Sequence, residues 1–108
     1  MAKTAREIKA IIDRYAAEVV KLGVMPESIL LYGSYARGNA REDSDIDIIV
    51  VSKDFRNMNL RERLELLGLA AGRVFEPMEA LGYTPDELEA NRRGTFLEEA
   101  LKVSSRIQ

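Results

Sequence analysis

Histidine, cysteine and tryptophan are missing from this chain of 108 residues. Without His and Cys there are no Cys/His zinc sites, no disulfides, no Ser-His-Asp or Cys-His triads and no imidazole acid or base. Chemistry here must run on carboxylates, hydroxyls, Lys, Arg and a hard cation. Aromatic residues are scarce at 6%, and three Pro and seven Gly leave no room for a low-complexity tract. The segment Met1-Ala2-Lys3-Thr4-Ala5-Arg6-Glu7 has no apolar signal core, and the apolar runs are too short to span a bilayer, so the expectation is a soluble, cytoplasmic protein without membrane contact. Cationic surplus is lacking too: 16 Lys and Arg stand against 18 Asp and Glu, a net charge of -2. That balance argues against nonspecific nucleic-acid binding and against a DNA polymerase. A chain of this size buries roughly 65% of its unfolded surface, which supports one core. Residues 1–108 are therefore expected to form a single domain, without a separate domain for a second substrate.

What is present is strongly patterned. Ile8, Ile11, Ile12, Tyr15, Val19 and Leu22 recur at helical spacing behind a Thr4/Glu7 capping box, and Gly23 and Pro26 end the helix. Ser28-Ile29-Leu30-Leu31-Tyr32, closed by Gly33, reads as a buried strand, and Gly33 to Ser44 as irregular chain with one helical turn over Ser34 to Arg37. Asp45 to Val51 is β-branched, with Ile46, Ile48 and Val50 on one face and Asp45 and Asp47 on the other. A second long helix carries Leu60, Leu64, Leu67, Ala71 and Val74 as its core stripe, capped by Asn59 and Glu62 and stopped by Pro77. Met78 to Tyr83 follows as a third strand, then a helix begun by Thr84-Pro85-Asp86-Glu87, and a last helix from Thr95 to Ser104. The order α-β-turn-β-α-β-α-α, with a helix linking the second and third strands, predicts an α+β (mixed α/β) fold in which helices flank a small mixed sheet.

The chemistry-bearing stretch is Gly33-Ser34, ten intervening residues, then Asp45-Ile46-Asp47. Two aspartates at i and i+2 on a strand face the same side about 7 Å apart, where their charges repel. A divalent cation reverses that penalty, and an all-oxygen ligand set favours Mg²⁺ or Mn²⁺. Taken alone, the pair equally fits a solvated face of an edge strand. Gly33 at a strand end, followed by Ser34 at a helical turn, lets backbone N–H groups and a hydroxyl approach a phosphate. Gly33 and Gly38 share the glycine spacing of a P-loop, but Asn39 and Ala40 stand where that motif needs Lys and Ser/Thr, so a P-loop NTPase is excluded. A phosphate-binding turn beside paired acids supplies both halves of a site for a metal-bound nucleoside triphosphate.

Gly33-Ser34-Tyr35-Ala36-Arg37-Gly38-Asn39-Ala40, followed by Ser44-Asp45-Ile46-Asp47-Ile48-Ile49-Val50, resembles the signature of the minimal nucleotidyltransferases. These are small members of the DNA polymerase β-like superfamily, related to kanamycin nucleotidyltransferase. Tyr83-Thr84-Pro85-Asp86-Glu87 is similar to a segment they carry after their third strand, so the resemblance covers most of Ile29 to Leu101. It implies the nucleotidyltransferase fold, with Gly33 and Ser34 holding a triphosphate, Asp45 and Asp47 binding Mg²⁺, and a third carboxylate on the last strand completing the site. Strand alternation and the distance from Thr84 nominate Glu79 for that role, with Glu76 as the alternative; the family usually has Asp there. Arg37, in the matched Ala-Arg-Gly, is expected either to pair with a phosphate or to buttress the loop against a carboxylate.

The resemblance further implies transfer of a nucleoside monophosphate, AMP from ATP, to a hydroxyl. Minimal members are often encoded beside a helical HEPN-type partner and act as antitoxins that adenylylate a toxin tyrosine, and the same role is expected here. The alternative is a catalytically weak binding module that acts by covering its partner, which Glu79 in place of Asp would suit. An antibiotic-modifying enzyme would need an acidic aminoglycoside pocket that the sequence does not suggest. Arg41, Glu42, Asp43 and Lys53 read as solvated, and Arg92 and Arg93 are too few to make a nucleic-acid footprint. Leu101 to Gln108 lacks the glycine and final apolar strand of many relatives, which leads us to expect an uncovered sheet edge, open to a homodimer or to the partner.

Overall fold

The structure is a computed structural model that describes residues 2–90, 100 and 105–106. Helix α1 (Ala5–Lys21) begins at a capping box in which the Thr4 hydroxyl accepts from the Glu7 N–H and the Glu7 carboxylate accepts from the Thr4 N–H. Strand β1 (Ser28–Tyr32) leads directly into the short helix α2 (Gly33–Arg37), and β2 (Ile46–Val51) follows the loop. A 3-10 turn (Lys53–Asn57) connects β2 to α3 (Leu60–Val74), which opens on an Asn59/Glu62 capping box. Strand β3 (Met78–Tyr83), α4 (Pro85–Ala90) and a two-residue β4 (Ser105–Arg106) complete the described elements.

The sheet runs β3-β2-β1-β4, with β1 antiparallel to both β2 and β4, and β2 parallel to β3. The parallel pair is joined through α3, because parallel neighbours need a crossover longer than a hairpin. Alternation along the strands sorts the faces. Ile29 and Leu31, Ile46, Ile48 and Val50 pack under α1 and α3 with Ile12, Tyr15, Val19 and Leu67. The opposite face carries Tyr32, Ile49 and Val51, joined by Leu30, Leu81, Tyr83 and Leu88 of α4, and by Ala100, which is helical and buried. The rest of the predicted helix Thr95 to Ser104 lies outside the described residues.

Two expectations are corrected. The stripe of α3 was predicted to bury Leu60 and Leu64, yet Leu60 is 67% exposed and Leu64 45%. The buried face is instead Arg63, Leu67, Ala70 and Val74. Arg63 turns the helix inward: its guanidinium donates to the carbonyls of Phe55 (2.7 Å), Met58 (3.0 Å) and Gly82 (3.2 Å), and pairs with both Glu87 oxygens. A buried guanidinium is tolerated in a core when its donors are satisfied, as they are here. Second, the chain does supply an edge strand beyond β1: Leu30 pairs with Arg106 and Leu31 with Ser105. Backbone pairing needs no apolar sequence, which is why the polar Ser-Ser-Arg stretch gave no strand signal.

Candidate active site

The site forms where the C-terminal end of β1 meets the N-terminal ends of β2 and β3. Register places Tyr32 opposite Asp47, and Asp47 opposite Glu79, so three adjacent strands bring one residue each to a single row. All three side chains face away from α1 and α3, on the side of the sheet that holds Ile49 and Leu81. Glu79 and Asp45 are exposed, and Asp47 is half-buried. Glu76 instead sits in the bend before β3, one residue ahead of Pro77 and outside that row.

Gly33 closes the row from below. Its φ of +73° lies in the region that favours glycine, and a Cβ built there would come within 3.0 Å of the Asp47 Cγ and would collide with its Oδ2. The turn and the carboxylate are thus pressed together, a fit open to no other residue. The helix α2 that follows has no side-chain cap from Tyr32; it starts at Gly33, which lies against Asp47, and Ser34 in its first turn is half-buried. Tyr35 and Ala36 tie α2 to the main core, and the Tyr35 hydroxyl accepts from the Lys3 N–H at 3.2 Å. Arg37 is exposed, yet its charge reaches Asp47 and favours the ionised carboxylate.

Electrostatics mark Asp47 as the strained member. Desolvation, the Glu79 charge, a hydrogen bond shared with Glu79 and the Asp45 charge together push its carboxyl up to about 6. Tyr32 is raised to about 12 by burial and by the charges of Asp47 and Glu79, with Tyr83 contributing. Among the described residues no three acidic side chains are gathered tightly enough to enclose a metal ion by themselves. The direct contact is the pair Asp47 and Glu79, with Asp45 adding repulsion. An incomplete protein cage of this kind suits Mg²⁺, which keeps several waters and is held through one or two carboxylates plus substrate phosphates. The all-oxygen donor set and the net repulsion at Asp47 therefore fit a hard divalent cation.

Two participants had escaped the sequence reading. Tyr32 enters the row only through strand register, and its place one residue before Gly33 was the available signal. Arg63 was hidden within an apolar helical stripe; only Glu87, doing double duty as the capping partner of Thr84, hinted that a cation was needed nearby.

A glycine turn packed against clustered carboxylates on neighbouring strands sets backbone amides, which suit a phosphate, beside acidic oxygens, which suit a hard cation. The chain belongs to the nucleotidyltransferase domain family, whose pattern it matches over residues 12–103. It is similar to protein adenylyltransferase MntA of Thermococcus cleftensis, with 38% identity over 79 residues, 68% of this chain and 78% of the relative. It is also 42% identical over 65 residues to a Methanocaldococcus jannaschii protein provisionally named a protein adenylyltransferase, a match spanning 60% of this chain and 64% of that relative's length. In fold it is similar to a toxin-antitoxin crystal structure with AMP-PNP, at a TM-score of 0.59 and 19% identity, over 93% of this chain and 72% of the other.

Proposed function

We propose that the protein transfers AMP from ATP, with Mg²⁺, to a hydroxyl on a partner protein, and that the partner is a helical HEPN-type toxin modified on tyrosine. The observation that carries this reading is the row Tyr32, Asp47, Glu79 with Gly33 pressed against Asp47. The names of the relatives, protein adenylyltransferases, support AMP as the group moved, and the toxin-antitoxin neighbour supports a toxin as acceptor.

Gly33 and Ser34 hold the triphosphate through backbone N–H groups and the hydroxyl. Asp45, Asp47 and Glu79 would hold the cation, which would supply positive charge against the phosphate oxygens and the developing alkoxide. The entering oxygen bonds to the α-phosphorus, the bond to the bridging oxygen breaks, and pyrophosphate leaves with that electron pair. The hydroxyl proton passes to the Asp47–Glu79 pair, where the longer Glu79 side chain sets the reach. Arg37, whose charge favours the ionised Asp47, either pairs with a phosphate or buttresses the acidic row.

Isothermal titration with ATP, with and without Mg²⁺, tests the site: metal-dependent binding in the wild type, lost in Asp45→Asn/Asp47→Asn, is the expected result. Co-expression with candidate helical partners followed by intact mass should show addition of AMP to the partner. A second reading, an antitoxin acting by complex formation alone, is favoured by Glu79 and by the looseness of the acidic group. Neutralisation of the toxin that survives Asp45→Asn would select it.

A further inference from the structure

Phe75 ends α3 in the left-handed conformation, with a φ of +60°, where glycine is the favoured residue. Its ring is almost fully exposed, so within one chain no burial offsets the backbone strain. Close by, a cleft of 440 Å³ opens between α3 and β3. Its apolar wall is Leu64, Gly68, Ala71, Met78 and Ala80, with Tyr32 and Glu79 among the other lining residues. Ala71 stands one turn before Phe75 and Met78 three residues after it, so an exposed aromatic knob and an apolar hole share one surface.

A surface that carries both parts is complementary to itself. About a two-fold axis each copy's knob enters the other's hole, and every contact is made twice. A pocket of about 150 Å³ holds one aromatic ring, and the cleft exceeds that, with space left for leucine side chains of the second copy. Leu60 and Leu64, both exposed, precede Gly68 at i, i+4 and i+8 and extend the apolar flank. Charge does not oppose the match. Arg61 is paired with Glu65 at 2.9 Å and Arg73 with Glu18 at 3.5 Å, and a net charge of -2 leaves little repulsion between copies. Strand pairing along β3 is obstructed by comparison: Arg63 already holds the Gly82 carbonyl, and antiparallel copies of β3 would crowd their Glu79 side chains.

We propose that two copies of this chain pair about a two-fold axis through the α3 flank, with Phe75 of each seated in the cleft of the other. The proposal stands apart from nucleotidyl transfer, because Met78 and Ala80 face α3 while Asp47 and Glu79 face the other side of the sheet. One flank of a helix about 22 Å long lies at the low end of specific interfaces, so the pair should dissociate at roughly 10–100 µM.

The test is sedimentation velocity of the full chain from roughly 5 to 500 µM, a range that brackets this affinity. Three variants accompany the wild type. Phe75→Asn removes the knob with a residue that tolerates the left-handed conformation. Gly68→Leu fills the hole from a position where an added Cβ meets nothing within 4 Å. Leu69→Gln removes an exposed apolar side chain about 100° round the helix from Gly68 and so controls for general surface stickiness. Thermal melts at the lowest concentration confirm that each variant is folded. A monomer-dimer equilibrium is expected in the wild type and in Leu69→Gln, with dimerisation at least about tenfold weaker in Phe75→Asn and in Gly68→Leu. Methyl NMR of the wild type over the same range should show the Ala71, Met78 and Ala80 methyls shifting with concentration. A wild type that stays monomeric throughout, an assembly larger than a dimer, dimerisation untouched by both Phe75→Asn and Gly68→Leu, or an equal loss in Leu69→Gln would overturn the proposal.

Discussion

Two glycines separate backbone strain from steric exclusion. Gly33 and Gly38 both have positive φ, but a Cβ at Gly38 meets open space while one at Gly33 meets Asp47. Gly38→Ala should cost about 1 kcal/mol of stability from strain alone and leave ATP binding within a few-fold of wild type. Gly33→Ala should unfold at a lower temperature than Gly38→Ala and bind no ATP, because Asp47 must move; thermal melts and titration read both. Asp47 itself is held against repulsion, so Asp47→Asn should melt higher than wild type in metal-free buffer, by about 1 kcal/mol of stability, while losing nucleotide binding. A lower melting temperature would mean that the Asp47 carboxylate is a structural necessity rather than a functional one. The side taken by Asp47 was legible in the sequence because period-two alternation sets it opposite Ile46 and Ile48, whereas Asp45 stands one residue before β2 begins. The pairing of Asp47 with Glu79 was not open to that rule, since it depends on the register between two strands separated by α3.

Among the elements, the junction of the 3-10 turn, α3 and α4 is centred on the buried Arg63 and its pair with Glu87, with an exposed Arg56–Asp86 pair at 3.6 Å beside it. Arg63 is 10% exposed and stacks 5.5 Å from the Phe55 ring centre while pairing with Glu87. Phe55 in turn lies against Gly82, where an added Cβ would sit 2.9 Å from the ring. Arg63→Leu removes the cation paired with Glu87 and the donors to three carbonyls, so a loss of about 3 kcal/mol in urea unfolding is expected. By contrast Leu60→Glu, on the exposed flank of the same helix, should stay within about 0.5 kcal/mol of wild type. Glu87 is held below the usual glutamate range by its hydrogen bonds to Arg63 and by the Thr84 amide. A folded-state value below the unfolded one stabilises above the unfolded pKa, and that contribution fades as pH falls through the folded one. Glu87→Gln keeps the cap acceptor but loses the charge. Because the carboxylate is 40% exposed, the loss at neutral pH should be only about 1 kcal/mol, and the difference from wild type should vanish in acid below the ordinary 4.5. A difference unchanged between neutral and acid pH would show that the ion pair is not its source.

At the scale of the whole molecule, edge management decides how the sheet meets a partner. β4 pairs with Leu30 and Leu31 and so covers one edge, while β3 forms the other end of the sheet beside the cleft. Removing residues 105–108 should uncover β1 and produce self-association in light scattering, whereas the full chain keeps that edge paired. A truncated chain with unchanged mass in solution would show that β4 is dispensable for edge protection. The exposed Phe75, at a φ of +60° and 90% accessible, stands at the α3-β3 junction. Phe75→Gly should therefore hold or raise stability, since it relieves strain without emptying any core.

By itself the sequence determined the elements and their faces: capping boxes at Thr4, Asn59 and Thr84, the period-two strand ending at Val51, and a glycine turn set before paired aspartates. These are local properties, written in spacing and in the chemistry of single residues. Tertiary structure decided what meets what. Register joined Tyr32, Asp47 and Glu79 across three strands, and satisfied donors drew Arg63 into the core in place of Leu60 and Leu64. Backbone hydrogen bonding also added β4 to β1 without an apolar signal. Each is a long-range choice governed by pairing and desolvation across the fold, which no window of neighbouring residues contains.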